Sequence, residues 1–350
     1  MTTDYRRAPP GPVSGHQPPV GIRRLGVFIP DSFLTAADVA ERAGIPEEVI
    51  RQKFGFVRKP KAPPELHVSD MCIAAARQAL GELDPMDLGA VIYFGSEYKD
   101  YHVWPIGAKI QHALGAKRAF AFEIMALCAT GILAFKLSKE MLLADPGLGH
   151  ILIVAGSKEG DLLDYRNQDS RFLFNFADGA GAAVISHGWE KNLILGSSVI
   201  TDGQFAEDVY LPVGGSRFRP ETHDQTDPRL HHFEIPRVEE MKRRLDPVSL
   251  PNFIAVCRQA IAGSGLTVPD VDFFGATHMK RSFHDGILKA LGLTWDQTFY
   301  LEEYGHVQAA DQIIVLKEAS ERGLLKPGQV AVVTGAGTGY TWGASCIRWG

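Results

Sequence analysis

The feature that most constrains this chain is a repeat. "MDLGAVIYFGSE" (86–97) and "PDVDFFGATH" (269–278) both read as an acidic turn, an apolar strand, then Gly and a polar residue. "KIQHALGAKRAFAFEI" (109–124) and "GILKALGLTWDQTFYLEE" (286–303) both read as a helix closed by Leu-Gly before a second strand. "GHILIVAGSKEG" (149–160) is matched by "GQVAVVTGAGTG" (328–339). Three pairs in the same order imply a duplicated unit. Within each copy, β-branched runs alternate with helical patterns, which indicates a layered α/β architecture. The expected division is an arm over 1–20, a first half over 21–185 and a second half over 186–350. The arm, "MTTDYRRAPPGPVSGHQPPV", is rich in Pro and Gly and is expected to be flexible or extended.

Composition removes several function classes. Net charge is -5 with no basic block or aromatic-basic stripe, so a nucleic-acid surface is not expected. Four cysteines (Cys72, Cys128, Cys257, Cys346) lie far apart with no CxxC, which argues against a disulfide framework and a structural zinc. No apolar run is long enough to span a membrane, and no signal-peptide core opens the chain. The expectation is a cytoplasmic protein without membrane contact.

The repeat also bears on "FEIMALCATGIL" (122–133). Cys128 is either a small buried hydrophobe or a nucleophile at the start of a helix. The offset between the halves carries Cys128 onto His306, in "EEYGHVQAADQI". Each follows an apolar strand and precedes a helix. The first of those helices is apolar on nearly every side (Ile132, Leu133, Phe135, Leu137, Met141, Leu142, Leu143) and should be buried in the middle of the molecule. Two related strand ends would then bring a thiol and an imidazole toward one axis. The partial positive charge of a helix N-terminus favours the thiolate.

With these residues in view, the chain resembles the thiolase-fold condensing enzymes, most closely β-ketoacyl-acyl-carrier-protein synthase III, over residues 21–350. Four stretches carry the resemblance: "ALCATG", "FADGAGAAV" (176–184), "THMK" with His278, and "GAGTGYTWGASCIRW" (335–349). It implies an α/β chain of five layers, αβαβα, with two pseudo-symmetric halves and two central helices between two mixed sheets. It also implies a homodimer that acts on acyl-CoA and a malonyl thioester, with an acyl carrier protein as a candidate partner and no metal or other cofactor. Cys128 would carry the acyl group. His278 and His306 would hydrogen-bond the thioester oxygen where enolate charge develops, and backbone at Thr338 and Gly339 would complete an oxyanion site. Asp178 is expected to be a turn residue bonding nearby N–H groups. The glycines of "GAGTG" lead into another strand rather than a helix, so a nucleotide loop is not expected.

Departures from that family leave alternatives open. Synthase III enzymes usually place asparagine where this chain has His306, and imidazole adds a titrating group. Glu97 ends the repeat strand and resembles the general base of hydroxymethylglutaryl-CoA synthase; it would permit condensation without decarboxylation, including head-to-head condensation. Simple acyl transfer and a catalytically silent partner subunit are further readings. Val49 stands where an adenine-stacking tryptophan is usual, so Arg51, Lys53, Arg58 or Arg281 would contribute more to binding coenzyme A. Lys280 and Arg281 would attract a phosphopantetheine arm, Lys242, Arg243 and Arg244 an acidic carrier protein. Trp104 aligns with the residue that crosses the dimer interface to close the partner's acyl pocket, which would favour a short primer.

Overall fold

The structure is a computed structural model that describes residues 18–219, 222–224 and 226–350; residues 1–17 of the expected arm lie outside these. The nine principal strands run in the order β5 (Phe120–Ile124), β4 (Leu88–Phe94), β6 (His150–Ser157), β7 (Gly179–His187), β1 (Val20–Phe28), β8 (Leu193–Thr201), β11 (Thr341–Arg348), β10 (Val330–Gly337), β9 (Phe273–Ala276). The first five form one half and the last four the other. They meet at a single β1–β8 pair, Gly21 with Leu193. Read outward from that seam, the halves repeat each other. β6 against β7 and β10 against β11 are antiparallel, while β4 beside β6 and β9 beside β10 are parallel. Strands buried on both faces need continuous apolar runs, as in "LGAVIYF" and "HILIVAGS".

The second half lacks a full mate for β5. The expected strand within 286–303 reduces to one bridge, Phe274 with Thr298. There the Thr298 hydroxyl donates to the Phe274 carbonyl and also meets His284 Nε2, so side chains replace a ladder.

Helices α3 (Val68–Leu80) and α4 (Ile106–Leu114) cover the outer face of the first half, and α6 (Val238–Gly263) and α7 (Arg281–Leu291) that of the second. Between the halves lie α5 (Thr130–Ala144) and α8 (Asp311–Glu321), whose apolar side chains join residues of both halves in one core. This is the expected αβαβα layering. A small outer unit, β2 (Phe33–Thr35) with β3 (Arg58–Pro60), α1 (Ala36–Ala43), α2 (Glu47–Val49) and a π turn over Ile50–Phe54, packs beside the second-half histidines. Among the described residues, no helix is long and apolar enough to cross a membrane, and no cluster of His, Cys, Asp or Glu could hold a metal ion.

The candidate active site

Two short turns open the central helices. Leu127–Ala129 precedes α5 and Gln308–Ala310 precedes α8, both as single 3-10 turns. Leu127 has φ 50° and Gln308 φ 52°, so these turns are the true structural pair. That corrects the sequence register: Cys128 corresponds to Ala309, and His306 lies three residues earlier, in the segment leading into its turn. The offset read from the strands fails here because the loop lengths before the two helices differ.

The Cys128 turn is held from two sides. The Thr130 hydroxyl accepts from Ala126 N (2.8 Å) and donates to Leu127 O (2.5 Å). On the other side lies the end of β10. A Cβ added at Gly337 would sit 2.1 Å from Ala126 O and 3.1 Å from Cys128 N, and one at Gly335 would sit 3.1 Å from Cys128 O. The glycines of "GAGTG" are therefore required by close approach of backbone to the cysteine turn. Gln312, in the first turn of α8, donates to Cys128 O (3.3 Å).

Cys128 is buried, with its sulfur 3.2 Å from Gln308 Oε1. The His306 ring lies close enough to the sulfur for the two to interact. Its Nδ1 lies 2.6 Å from Asp311 Oδ2. The same carboxylate oxygen accepts from His278 N (2.8 Å), while Oδ1 accepts from Val307 N (2.7 Å). Burial opposes charge on His306, yet the Cys128 sulfur and the Asp311 carboxylate outweigh it and hold its pKa well above the usual imidazole value. Phe176 packs edge-on against the ring at 5.0 Å.

His278 is differently placed. The Asn175 amide nitrogen donates to its Nδ1 (2.8 Å), which leaves the proton on Nε2, and Nε2 donates to Gly55 O (3.1 Å). Burial lowers its pKa to about 4, so the ring is neutral near pH 7. Gly55 has φ 83°, and a Cβ there would lie 1.9 Å from the Tyr300 hydroxyl, so no other residue fits that carbonyl's position. Lys59, buried on β3, donates to Phe174 O and Phe176 O (2.6 Å each) and so clamps the segment that carries Asn175 and Phe176. Burial lowers its pKa to about 7.

A cavity of about 370 Å³ opens beside the cysteine turn, lined by Leu127, Gln308, Thr338, Glu97, Glu159 and Phe176 among others. Its wall is mainly apolar (Leu162, Val209, Leu211, Phe233), as an acyl chain would need.

With this geometry in hand, comparisons with known proteins are decisive. Residues 122–203 match the family profile "3-Oxoacyl-[acyl-carrier-protein (ACP)] synthase III", and 261–349 match "3-Oxoacyl-[acyl-carrier-protein (ACP)] synthase III C terminal". The β-ketoacyl-[acyl-carrier-protein] synthase III of Caldanaerobacter subterraneus subsp. tengcongensis is 28% identical over 333 residues, covering 94% of this chain and 97% of that protein. The chain is similar to the thiolase-fold, synthase III condensing enzymes over nearly its whole length. Two solved structures agree in fold. The 3-oxoacyl-[acyl-carrier-protein] synthase III of Aquifex aeolicus superposes with TM-score 0.80 at 23% identity, covering 94% of this chain and 100% of its own. The priming β-ketosynthase of the R1128 polyketide pathway gives 0.83 at 22%, covering 97% and 99%.

The synthase III-like site gathers some expected residues and disperses others. Cys128 and His306 are in contact, and Thr338 and Glu97 line the adjoining cavity. Gly339 follows Thr338 at the end of the β10–β11 hairpin, with φ 117°. Glu97 is exposed and does not bond Lys99, which pairs with Glu123 instead. His278 lies behind His306, joined to it through Asp311, with both ring nitrogens already bonded within the protein. Trp104 packs on its own chain's outer core and edge-on to Tyr101, while His102 and Val103 line the cavity. Lys280 is exposed at the start of α7. Arg281 is not a free cation: it lies over the Trp295 ring at 4.4 Å and pairs with Glu302. The basic run on α6 divides: Arg244 grips Asp208 through both carboxylate oxygens, whereas Lys242 pairs with Glu239 at the surface and Arg243 is exposed. Asp178 is not the turn residue expected: it is buried just ahead of β7, and its carboxylate accepts from Ala62 N and Gly160 N, both distant in the chain, and pairs with Lys61.

Four residues escaped the sequence reading: Asp311, Asn175, Glu159 and Lys59. Asp311 left a signal. An acid at the head of the apolar run "IIVL" cannot be buried without a partner. Glu159 accepts from the Ser96 and Ser157 hydroxyls, and burial raises its pKa against those bonds. Ser157 ends β6 and Ser96 lies two residues past β4, the strands that the repeat had already located.

Proposed function

We propose that this enzyme forms a carbon–carbon bond by decarboxylative Claisen condensation, with Cys128 as the acyl carrier, to begin a fatty acid or polyketide chain. The observation that carries the assignment is the buried Cys128–His306 contact at the head of α5 beside an apolar cavity. The thiolate attacks the thioester carbonyl of an acyl-CoA; the carbon–sulfur bond to coenzyme A breaks and its sulfur leaves as a thiolate that takes its proton from solvent, so His306 keeps its Nε2–H. Backbone at Thr338 and Gly339 stabilises the oxyanion. A malonyl thioester then loses carbon dioxide, and its carbon–carbon electron pair becomes an enolate that attacks the acyl carbon and expels the Cys128 sulfur. His306 and the neutral His278 donate to the enolate oxygen. For His278 this requires the thioester oxygen to replace Gly55 O as acceptor for Nε2–H. An acyl carrier protein delivers the malonyl group, no metal or cofactor takes part, and the enzyme works in the cytoplasm as a homodimer. β5 is an edge strand, and the exposed Phe120, Met125, Tyr101 and Val103 lie on or beside it. A second copy would cover them, with Trp104 close to that interface.

A second reading, simple acyl transfer to an alcohol or amine, is favoured by one observation: Cys128, His306 and Asp311 line up as nucleophile, base and orienting carboxylate. Incubation with acyl-CoA thioesters of several lengths, followed by mass spectrometry, should show an adduct on Cys128. Malonyl thioester should then release carbon dioxide and a 3-oxoacyl product. An adduct with no carbon dioxide release would sink the decarboxylative assignment, and a Glu97→Gln variant would then separate a Glu97-dependent condensation from simple transfer. No adduct at all would indicate a silent subunit.

A further inference from the structure

Asp311 is wholly buried, opens the central helix α8, and receives three hydrogen bonds. Two arrive at Oδ2, from His306 Nδ1 and His278 N, and one at Oδ1, from Val307 N. No lysine or arginine pairs with it among the described residues. A buried carboxylate with no fixed cation needs a partner that becomes cationic, and the His306 ring is the one available. The carboxylate also fixes the ring's tautomer. Holding the proton on Nδ1 leaves Nε2 as the atom that faces Cys128.

We propose that Asp311 is a positioning residue that sets the resting state of the nucleophile: by holding His306 with Nδ1–H, it makes Nε2 the acceptor of the Cys128 proton, so the enzyme waits as a thiolate–imidazolium pair. The proton leaves Cys128 Sγ and resides on His306 Nε2; no bond other than S–H breaks. Gln308, 3.2 Å from the sulfur, supports the anion by presenting its NH2 in place of Oε1. The other groups facing the pair are few. Toward the ring these are His278, which is neutral, and Lys59 on β3, beneath Gly305. Toward the sulfur it is Tyr340, pushed up by burial and then by the Cys128 sulfur itself. Of these only Lys59 can carry positive charge, its pKa lowered by burial to about 7, and it is bonded to carbonyls of 174 and 176 rather than to the pair. The elevated pKa of His306 agrees with this arrangement. An amide at position 306, usual in the family this enzyme resembles, has no proton to gain, so this chain departs from its relatives in how the thiol is activated. The inference rests on the assignment of Cys128 as nucleophile, but its test requires no thioester chemistry.

The test is the pH profile of Cys128 alkylation by iodoacetamide, followed by peptide mass. Cys72, Cys257 and Cys346, all buried, serve as internal references. In the native enzyme the rate should be nearly flat from about pH 6 to pH 8, as expected for a pre-formed thiolate. Asp311→Asn removes one acceptor, and His306→Asn removes the base. Each should slow alkylation at pH 6 by about tenfold or more and restore a rise of about tenfold per pH unit. The double variant should be no slower than either single one. Wild-type alkylation that rises steeply through this range, or an Asp311→Asn profile as flat as wild type, would overturn the proposal. Should Asp311→Asn fail to fold, ¹⁵N-histidine NMR of the unaltered enzyme decides. His306 should be doubly protonated at pH 7.5 and become neutral in Cys128→Ala; a neutral His306 in the native enzyme refutes the pair.

Discussion

Burial disfavours charge on both site histidines, but only His306 has partners that outweigh it, and stability should record the difference. His278 has a folded pKa of about 4 against an ordinary value of 6.5. A depressed imidazole binds fewer protons folded than unfolded, so its contribution is intact above pH 6.5 and is lost as pH falls toward 4. His284, stacked on Trp295 and bonded to Thr298, is lowered to about 3 and acts in the same sense. Each ring should cost roughly 2 kcal/mol of unfolding free energy between pH 6.5 and pH 5. Urea denaturation at both pH values should show that loss, and His278→Asn should remove about half of it. An unchanged slope in the variant would mean that the buried ring is already protonated. Lys59 is a residue-scale device of another kind. Lys59→Met keeps the volume but leaves Phe174 O and Phe176 O without their donor, at a cost of about 1–3 kcal/mol each way of counting the loss. Because those carbonyls flank Asn175, the variant should also slow turnover more than it weakens substrate binding, a split visible in kcat against KM.

At the scale of elements, the site depends on how closely β10 approaches the turn before α5. Gly337→Ala puts a methyl group 2.1 Å from Ala126 O, and a main-chain oxygen cannot swing aside as a side chain can. The turn must shift, moving the Cys128 sulfur relative to His306. Gly337→Ala should lower the rate of Cys128 acylation by at least about tenfold and stability by about 1–3 kcal/mol. Gly203→Ala, where a Cβ meets nothing within 4 Å, should change either by little. Stopped-flow acylation and thermal melts of the two variants test the contrast. Equal behaviour would show that the glycine strand does not constrain the nucleophile. The helices make a similar close contact: a Cβ at Gly131 would lie 2.8 Å from Ala309 O, so α5 and α8 touch at their first turns. That contact is what lets residues 128 and 308 share one hydrogen bond across the repeat.

At the scale of the whole molecule, the duplicated halves place the site on their seam and leave one edge of the first half open. Among the described residues β5 has β4 on one side and no strand on the other, with Phe120 and Phe122 stacked upon it. Pairing two such edges would join two copies and remove an aggregation liability. Phe120→Asp should shift the sedimentation coefficient from dimer to monomer and reduce condensation, because the loop over 98–104 and Met125 lie between that edge and the cavity. A native enzyme that sediments as a monomer would remove this part of the functional assignment.

Sequence alone determined the architecture, because a duplicated apolar pattern admits few layered solutions. It also singled out the candidate nucleophile: a cysteine heading an all-round apolar helix has one place to be, the centre. Cys128, His306 and the close-packed glycines of "GAGTG" were legible in this way. The tertiary structure decided what lay between these landmarks. Which residue of the second half faces Cys128 depended on two loops whose lengths no periodicity records, so the repeat register slipped by three. Which way His278 points depended on Gly55, more than two hundred residues away in the chain. That one carboxylate, Asp311, ties both histidines together follows from the packing of α8 beside β9, a relation that exists only once the second half has folded.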